Sequence, residues 1–182
     1  MSVKYAIMGL LADGPLHGYE LKAAYEGELV PESQLNVGQV YTTLDRLDRD
    51  GLVAHGLVRQ PVRPDKKVYE LTRDGRKELR EWLATPSRPE LDLRNETFLK
   101  LMLARRLKGF DALEVLAVER RGCMERLHEI EFARARADTD GAPLQTMLLL
   151  ELAALKISSF LKWLDRCEEL FKRETGRREK KR

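Results

Sequence analysis

One short run of side chains offers the most distinctive chemistry in the chain. Gly38, Gln39, Tyr41, Thr42, Thr43 and Arg46 fall within nine positions, interleaved with Val40 and Leu44. Gln can pair bidentately with an adenine edge, and a Thr methyl can touch a thymine methyl. Arg46 and the Tyr41 hydroxyl suit phosphate oxygens. Gly38 lets backbone approach a phosphate closely. A second group lies further on, where Arg59, Arg63, Lys66 and Lys67 face Asp65 alone, a local charge of +3. Such a basic tip can lie along phosphates or enter a minor groove.

Other chemistries are poorly represented. The three His and two Cys residues form no cluster with ligand spacing. His128 and Cys123 are five positions apart, a poor fit to one helix face, so no metal site is expected. There is no glycine-rich phosphate loop and no Gly-x-Ser-x-Gly elbow. Carboxylates fall beside Arg and Lys at helical spacings, as on solvated faces. The expectation is a protein that binds rather than catalyses, with no cofactor.

Composition agrees. The chain has 182 residues, 35% charged and 43% hydrophobic, enough for a core without disulfides or metals. Its net charge of +3 is small, but residues 172–182 carry seven basic and two acidic side chains, so the excess sits in the tail. Cys123 and Cys167 are 44 positions apart, and no secretory pattern precedes them, which favours a reducing cytoplasm. The longest apolar stretch, 147–164, contains Glu151, Lys156 and Lys162 and reads as a buried soluble helix rather than a membrane span.

The elements that must carry these residues follow from periodicity. Val3, Ile7, Leu10 and Leu11 form one helix face, stopped by Asp13-Gly14-Pro15. A second helix starts near His17, with Leu21, Ala24, Tyr25 and Leu29 as its stripe, and stops at Val30-Pro31. A third starts at Asn36, an N-cap with Gln39 three residues on as in a capping box. Val37, Val40, Leu44 and Leu47 turn inward, which turns Gln39, Thr42, Thr43 and Arg46 outward and leaves Tyr41 at the flank. Gly51 ends this helix. Strand-like runs 52–59 and 67–71 flank a loop holding Pro61 and Pro64, and Thr72 caps a fourth helix through Leu83.

Helix, helix, helix, hairpin, helix is the order of a winged helix-turn-helix. The fold expected is mainly α: an N-terminal winged helix-turn-helix of three helices and a two-stranded wing, then an all-helical dimerisation domain. The domain spans 1–83, a Pro-bearing linker 84–92, the helical domain 93–174, and a disordered basic tail 175–182.

Three motifs carry a resemblance. Residues 15–21, Pro-Leu-His-Gly-Tyr-Glu-Leu, resemble the second-helix entry of PadR-type transcriptional regulators. Residues 38–53 resemble their recognition helix and its exit, and residues 69–76, Tyr-Glu-Leu-Thr-Arg-Asp-Gly-Arg, their wing return. The helical C-terminal part is similar in length and position to that of the larger subfamily. At the wing tip the family often has Gly-Arg-Pro. Here Val62 precedes Arg63-Pro64, and Asp65 stands among the basic residues. In many relatives a Pro follows the recognition-helix Tyr, whereas Thr42 follows Tyr41 here. The resemblance implies a homodimer that binds double-stranded DNA at an inverted repeat, usually as a repressor, and often releases it for a small-molecule effector. The alternative is a winged-helix protein-interaction module without specific DNA binding.

The last helix supplies the pairing surface in this reading. Met147, Leu150, Ala154, Ile157, Leu161 and Leu164 alternate at 3–4 spacing, as in a coiled-coil seam. A second stripe of Leu149, Ala153, Phe160, Trp163, Cys167 and Leu170 runs beside it. A helix apolar on two faces needs partners on two sides. Trp163 is expected in the interface, where a flat effector can stack on it. Trp82 is expected to pack between the domains.

Overall fold

The computed structural model describes residues 2–29, 34–58, 66–87 and 95–179, with side chains through 174. The chain divides into two units, Met1–Pro89 and Glu90–Arg182.

In the first unit, α1 (Val3–Leu10), α2 (Gly18–Ala24) and α3 (Val37–Arg49) pack around one core, followed by β2 (Val53–Val58), β3 (Lys66–Leu71) and α4 (Arg73–Ala84). The two-residue β1 (Leu16–His17) precedes α2. The sheet is antiparallel in the order β1-β3-β2, with Leu16 opposite Tyr69 and Val53 opposite Leu71. The wing therefore has three strands where the sequence predicts two. A two-residue strand has no periodicity to read. It exists because Leu16 and His17 find unpaired edge groups on β3. The second helix also ends earlier than its stripe suggests, at Ala24, and continues as a single π turn over Tyr25–Leu29. Its expected stop at Val30-Pro31 lies outside the described residues.

The core of this unit is continuous. Ile7, Met8 and Leu11 meet Leu21 and Tyr25, then Val40, Leu44 and Leu47, and then Val53, Tyr69, Leu71 and Leu79. Each helix presents one apolar stripe to the others, which is why three short helices suffice. Thr72 caps α4: its Oγ1 accepts from Gly75 N–H at 3.0 Å and donates to the Leu52 carbonyl at 3.0 Å. Gly75 is required there, because a Cβ would stand 2.1 Å from the Leu52 carbonyl oxygen. Trp82 stacks on Tyr5 with ring centroids 4.4 Å apart. Within the first unit it is thus held by α1.

The second unit is three helices: α5 (Glu96–Arg106), α6 (Ala112–Thr139) and α7 (Leu144–Glu179). The short turn after Thr139 makes α6 and α7 antiparallel neighbours. Leu101, Leu116 and Leu164 centre its core, with Val115, Phe160, Leu161, Trp163 and Phe171 against them. Arg120 bridges α6 to Asp165 and Glu168 on α7 at 2.9 and 2.6 Å. Thr97 Oγ1 donates to Glu119 at 2.7 Å and Lys100 pairs with it at 2.9 Å, tying α5 to α6. Two expectations change. α7 continues through Glu179, five residues into the segment expected to be a disordered tail, while 180–182 lie outside the described residues. And α7 is not a buried helix within this chain: Leu144, Leu148, Leu149, Leu152 and Leu155 are all exposed. It is long and apolar enough to cross a membrane by length and composition alone.

Candidate nucleic-acid interface

α3 builds the site. Asn36 Oδ1 accepts from Gly38 N–H at 2.8 Å, so the cap bond goes to the second helical residue rather than to Gln39 of the expected box. Val40, Leu44 and Leu47 are fully buried. Their burial fixes the opposite face outward: Gly38, Gln39, Thr42 and Arg46 are exposed and Thr43 is half-buried. Together with Val3 and Asn36 these residues line one open groove. The Thr42 hydroxyl donates to the Gly38 carbonyl at 2.8 Å and the Thr43 hydroxyl to the Gln39 carbonyl at 2.7 Å. Both hydroxyl protons are therefore spent inside the helix. What each Thr offers a partner is a methyl group and an oxygen lone pair.

Tyr41 sits at the flank, half-buried against the core. A Cβ on Gly18 would lie 2.7 Å from its ring, so the Gly of the His-Gly-Tyr-Glu motif is the seat on which Tyr41 rests. Burial, and then the neighbouring phenols Tyr19 and Tyr69, push the Tyr41 hydroxyl above its ordinary value. It stays a neutral donor. Tyr19 stands edge-on to Tyr41 with centroids 6.4 Å apart and is 63% exposed. The sequence reading passed over Tyr19 as a site residue. The signal was its place one position after Gly18, at the start of a helix that meets α3.

At the loop end of β3, Lys66 Nζ lies 3.0 Å from His17 Nε2, and Lys67 Nζ lies 5.2 Å from the centre of the Tyr69 ring. Lys66 is therefore brought beside the start of α2. Arg63, with Arg59, Pro64 and Asp65, lies outside the described residues. His17 caps α2: its Nδ1 accepts from Glu20 N–H at 3.2 Å while Glu20 Oε2 accepts from His17 N–H at 3.0 Å.

In the second unit the six residues of the expected pairing stripe divide. Ala154 and Leu164 are buried by the chain's own helices, and Met147, Leu150, Ile157 and Leu161 are half-buried. This stripe holds α7 to its own unit, so Ala154 and Leu164 have no surface left for a second chain. The exposed row is a third one, Leu144, Leu148, Leu152 and Leu155, which neither expected stripe includes; Phe160, Trp163 and Cys167 of the second stripe pack against the core. Trp163 packs at a tilt on Phe160, centroids 5.0 Å apart, within the core. Burial raises the thiols of Cys123 and Cys167, with Glu119 adding to the effect on Cys123, which disfavours the reactive thiolate. Among the described residues no group of His, Cys, Asp and Glu side chains could hold a metal ion.

A three-helix core that exposes the polar face of its third helix beside an antiparallel hairpin defines a winged helix-turn-helix protein of the kind that reads DNA. Residues 7–81 match the model of the transcriptional regulator PadR-like family. The first unit thus carries a PadR-like domain, and the curated relatives that the chain matches over most of its length are transcriptional regulators. The chain is 24% identical over 170 residues to the negative transcriptional regulator PadR of Bacillus subtilis, covering 90% of this chain and 93% of that one. It is 29% identical over 184 residues to a probable transcriptional regulator of Mycobacterium tuberculosis, covering 93% and 97%. The crystal structure of the Bacillus subtilis protein in complex with operator DNA superposes with a TM-score of 0.61 at 23% identity, over 92% of this chain and 97% of that one. The same protein in complex with p-coumaric acid gives 0.62, over 91% and 92%.

Proposed function

We propose that this regulator is a homodimeric repressor that binds an inverted-repeat operator in double-stranded DNA and releases it when a small-molecule effector binds. The observation that carries the DNA reading is the outward face of α3: Gln39, Thr42 and Arg46 are exposed on a helix whose opposite face is wholly buried. Gly38 and Thr43 share its groove, Tyr41 stands at its flank, and Lys66 and Lys67 open β3, with Arg63 shortly before them in sequence. Gln39 and the Thr methyls would meet base edges, and Tyr41, Arg46 and the basic residues would meet phosphates.

Two copies are needed to present two recognition helices about 34–36 Å apart, one DNA turn. The pairing surface we propose is the exposed leucine stripe of α7, with Met147, Leu150, Ile157 and Leu161 at its edge. Such a stripe, left bare, is an aggregation liability, and a second copy of the same helix is the simplest cover. Repression and effector release are supported by the Bacillus subtilis relative, a negative regulator with a p-coumaric acid complex. Trp163, half-buried against Phe160, is the aromatic surface a flat effector would reach. An effector releases DNA only as far as it prefers the non-binding state. A soluble cytoplasmic location follows from this reading, with no membrane partner.

The test is capture of fragments of the source genome by purified protein at low and moderate salt, followed by sequencing. A small set sharing an inverted repeat is expected, with affinity falling steeply as salt rises. No enrichment at either salt would overturn the reading in favour of a winged helix that docks a protein.

A further inference from the structure

The ring of His17 has more polar neighbours than it can serve. Nδ1 faces Glu20 N–H at 3.2 Å. Nε2 faces both the Glu20 carboxylate at 3.2 Å and Lys66 Nζ at 3.0 Å. A neutral imidazole has one N–H and one lone pair. With the proton on Nε2, the ring accepts from the helix cap and donates to the carboxylate, but the Lys66 ammonium then meets another donor. With the proton on Nδ1, Lys66 donates to Nε2, and the cap N–H of Glu20 loses its acceptor. Among the described residues no carboxylate lies within ion-pair distance of Lys66, so His17 is the group that holds it.

We propose that His17 is a positioning residue for Lys66. It holds the ammonium at the start of α2 in the free protein and yields it to a DNA phosphate on binding. The proposal rests on the DNA-binding reading of this face. A phosphate oxygen is a better acceptor for an ammonium than an imidazole lone pair, because the hydrogen bond is charged on both sides. Once Lys66 turns to it, the ring settles with its proton on Nε2 and the α2 cap is complete. DNA occupancy thus firms the start of the helix that seats Tyr41, coupling the loop end of β3 to the recognition helix through one side chain.

The experiment has a DNA-free and a DNA-bound arm. In the first, nitrogen NMR of the neutral His17 ring is compared in the parent protein and Lys66→Ala. The parent should carry a fraction of the Nδ1–H tautomer, and Lys66→Ala should move the ring to Nε2–H. An unchanged ring would overturn the proposal, whatever DNA does. In the second, a mixed-sequence duplex at low salt is titrated with the parent, His17→Asn, Lys66→Ala and the double variant. Asn retains a good N-cap, so the fold is kept. His17→Asn should weaken binding about threefold or more in the parent and add nothing in Lys66→Ala, since contacting residues couple. Lys66→Ala should also reduce the salt slope by about one. Equal losses from His17→Asn in both backgrounds would mean that the ring acts through its cap alone, and the proposal falls. If no protein binds the duplex, the DNA-binding reading falls, while the DNA-free arm still decides whether His17 holds Lys66.

Discussion

The two units solve the problem of burying apolar surface differently. The first closes on itself. Ile7, Met8, Leu21, Val40 and Leu44 are each wholly buried, and what it leaves outside is a polar recognition face. The second closes on one side only. Leu164 is wholly buried, yet Leu148, on the other face of the same helix, is 60% exposed. A unit that leaves a row of leucines in water lacks a partner, whereas a unit that leaves Gln, Thr and Arg in water lacks only a ligand. Under the proposed function, the contrast would assign ligand recognition to the first unit's surface and assembly to the second unit's surface.

The comparison breaks first if core and surface leucines behave alike. Leu44→Ala should cost about 2–5 kcal/mol in urea unfolding, as large-to-small core changes do. The loss should not depend on protein concentration. Replacing Leu148 and Leu152 together by Asp should instead convert dimer to monomer in light scattering, with helix content retained. If Ile157→Asp dissociates the dimer and the double variant does not, the pairing face is the half-buried stripe. Gly18→Ala is expected to cost about 1–3 kcal/mol by overpacking against Tyr41, and to weaken DNA binding with it. Wild-type stability in that variant would mean that Tyr41 has room to move.

The smallest effect is a pH dependence in the second unit. Burial works to raise the Glu119 carboxyl, but the hydrogen bonds from Lys100 and Thr97 outweigh it, and the net shift is downward. A carboxyl held below its unfolded value contributes stability above that value and loses it as pH falls through the folded one. Glu119→Gln should therefore lower the urea midpoint at neutral pH. The difference from the parent should close as pH drops through the ordinary carboxylate range. A difference that persists in acid would assign the effect to packing rather than charge.

Much of the first unit was legible because its determinants are local. Asn36 and Thr72 announce their helices by type, and Val40, Leu44 and Leu47 name the inward face of α3 by spacing alone. Knowing the inward face is enough to know which residues point out, so the exposure of Gln39, Thr42 and Arg46 followed. The cap partner of Asn36, the hydroxyl bonds of Thr42 and Thr43 and the seat of Tyr41 on Gly18 were not legible, since each depends on atoms placed by the fold.

The second unit was legible as all-helical but not as an arrangement. Periodicity marks two apolar stripes on α7, yet its own chain packs residues of both and leaves a third row of leucines bare. That choice depends on where α5 and α6 dock. They bury Ala154 and Leu164 and leave Leu144, Leu148, Leu152 and Leu155 outside. Likewise, Trp82 had an apolar ring and no marked partner until α1 brought Tyr5 against it. Sequence by itself determined the helices, their caps, the family and the polar face of α3, because hydrogen bonding and amphipathic spacing act within a few residues. Tertiary structure alone decided the third strand of the wing, the pairing of His17 with Lys66 and the free face of α7, because these are choices among distant partners.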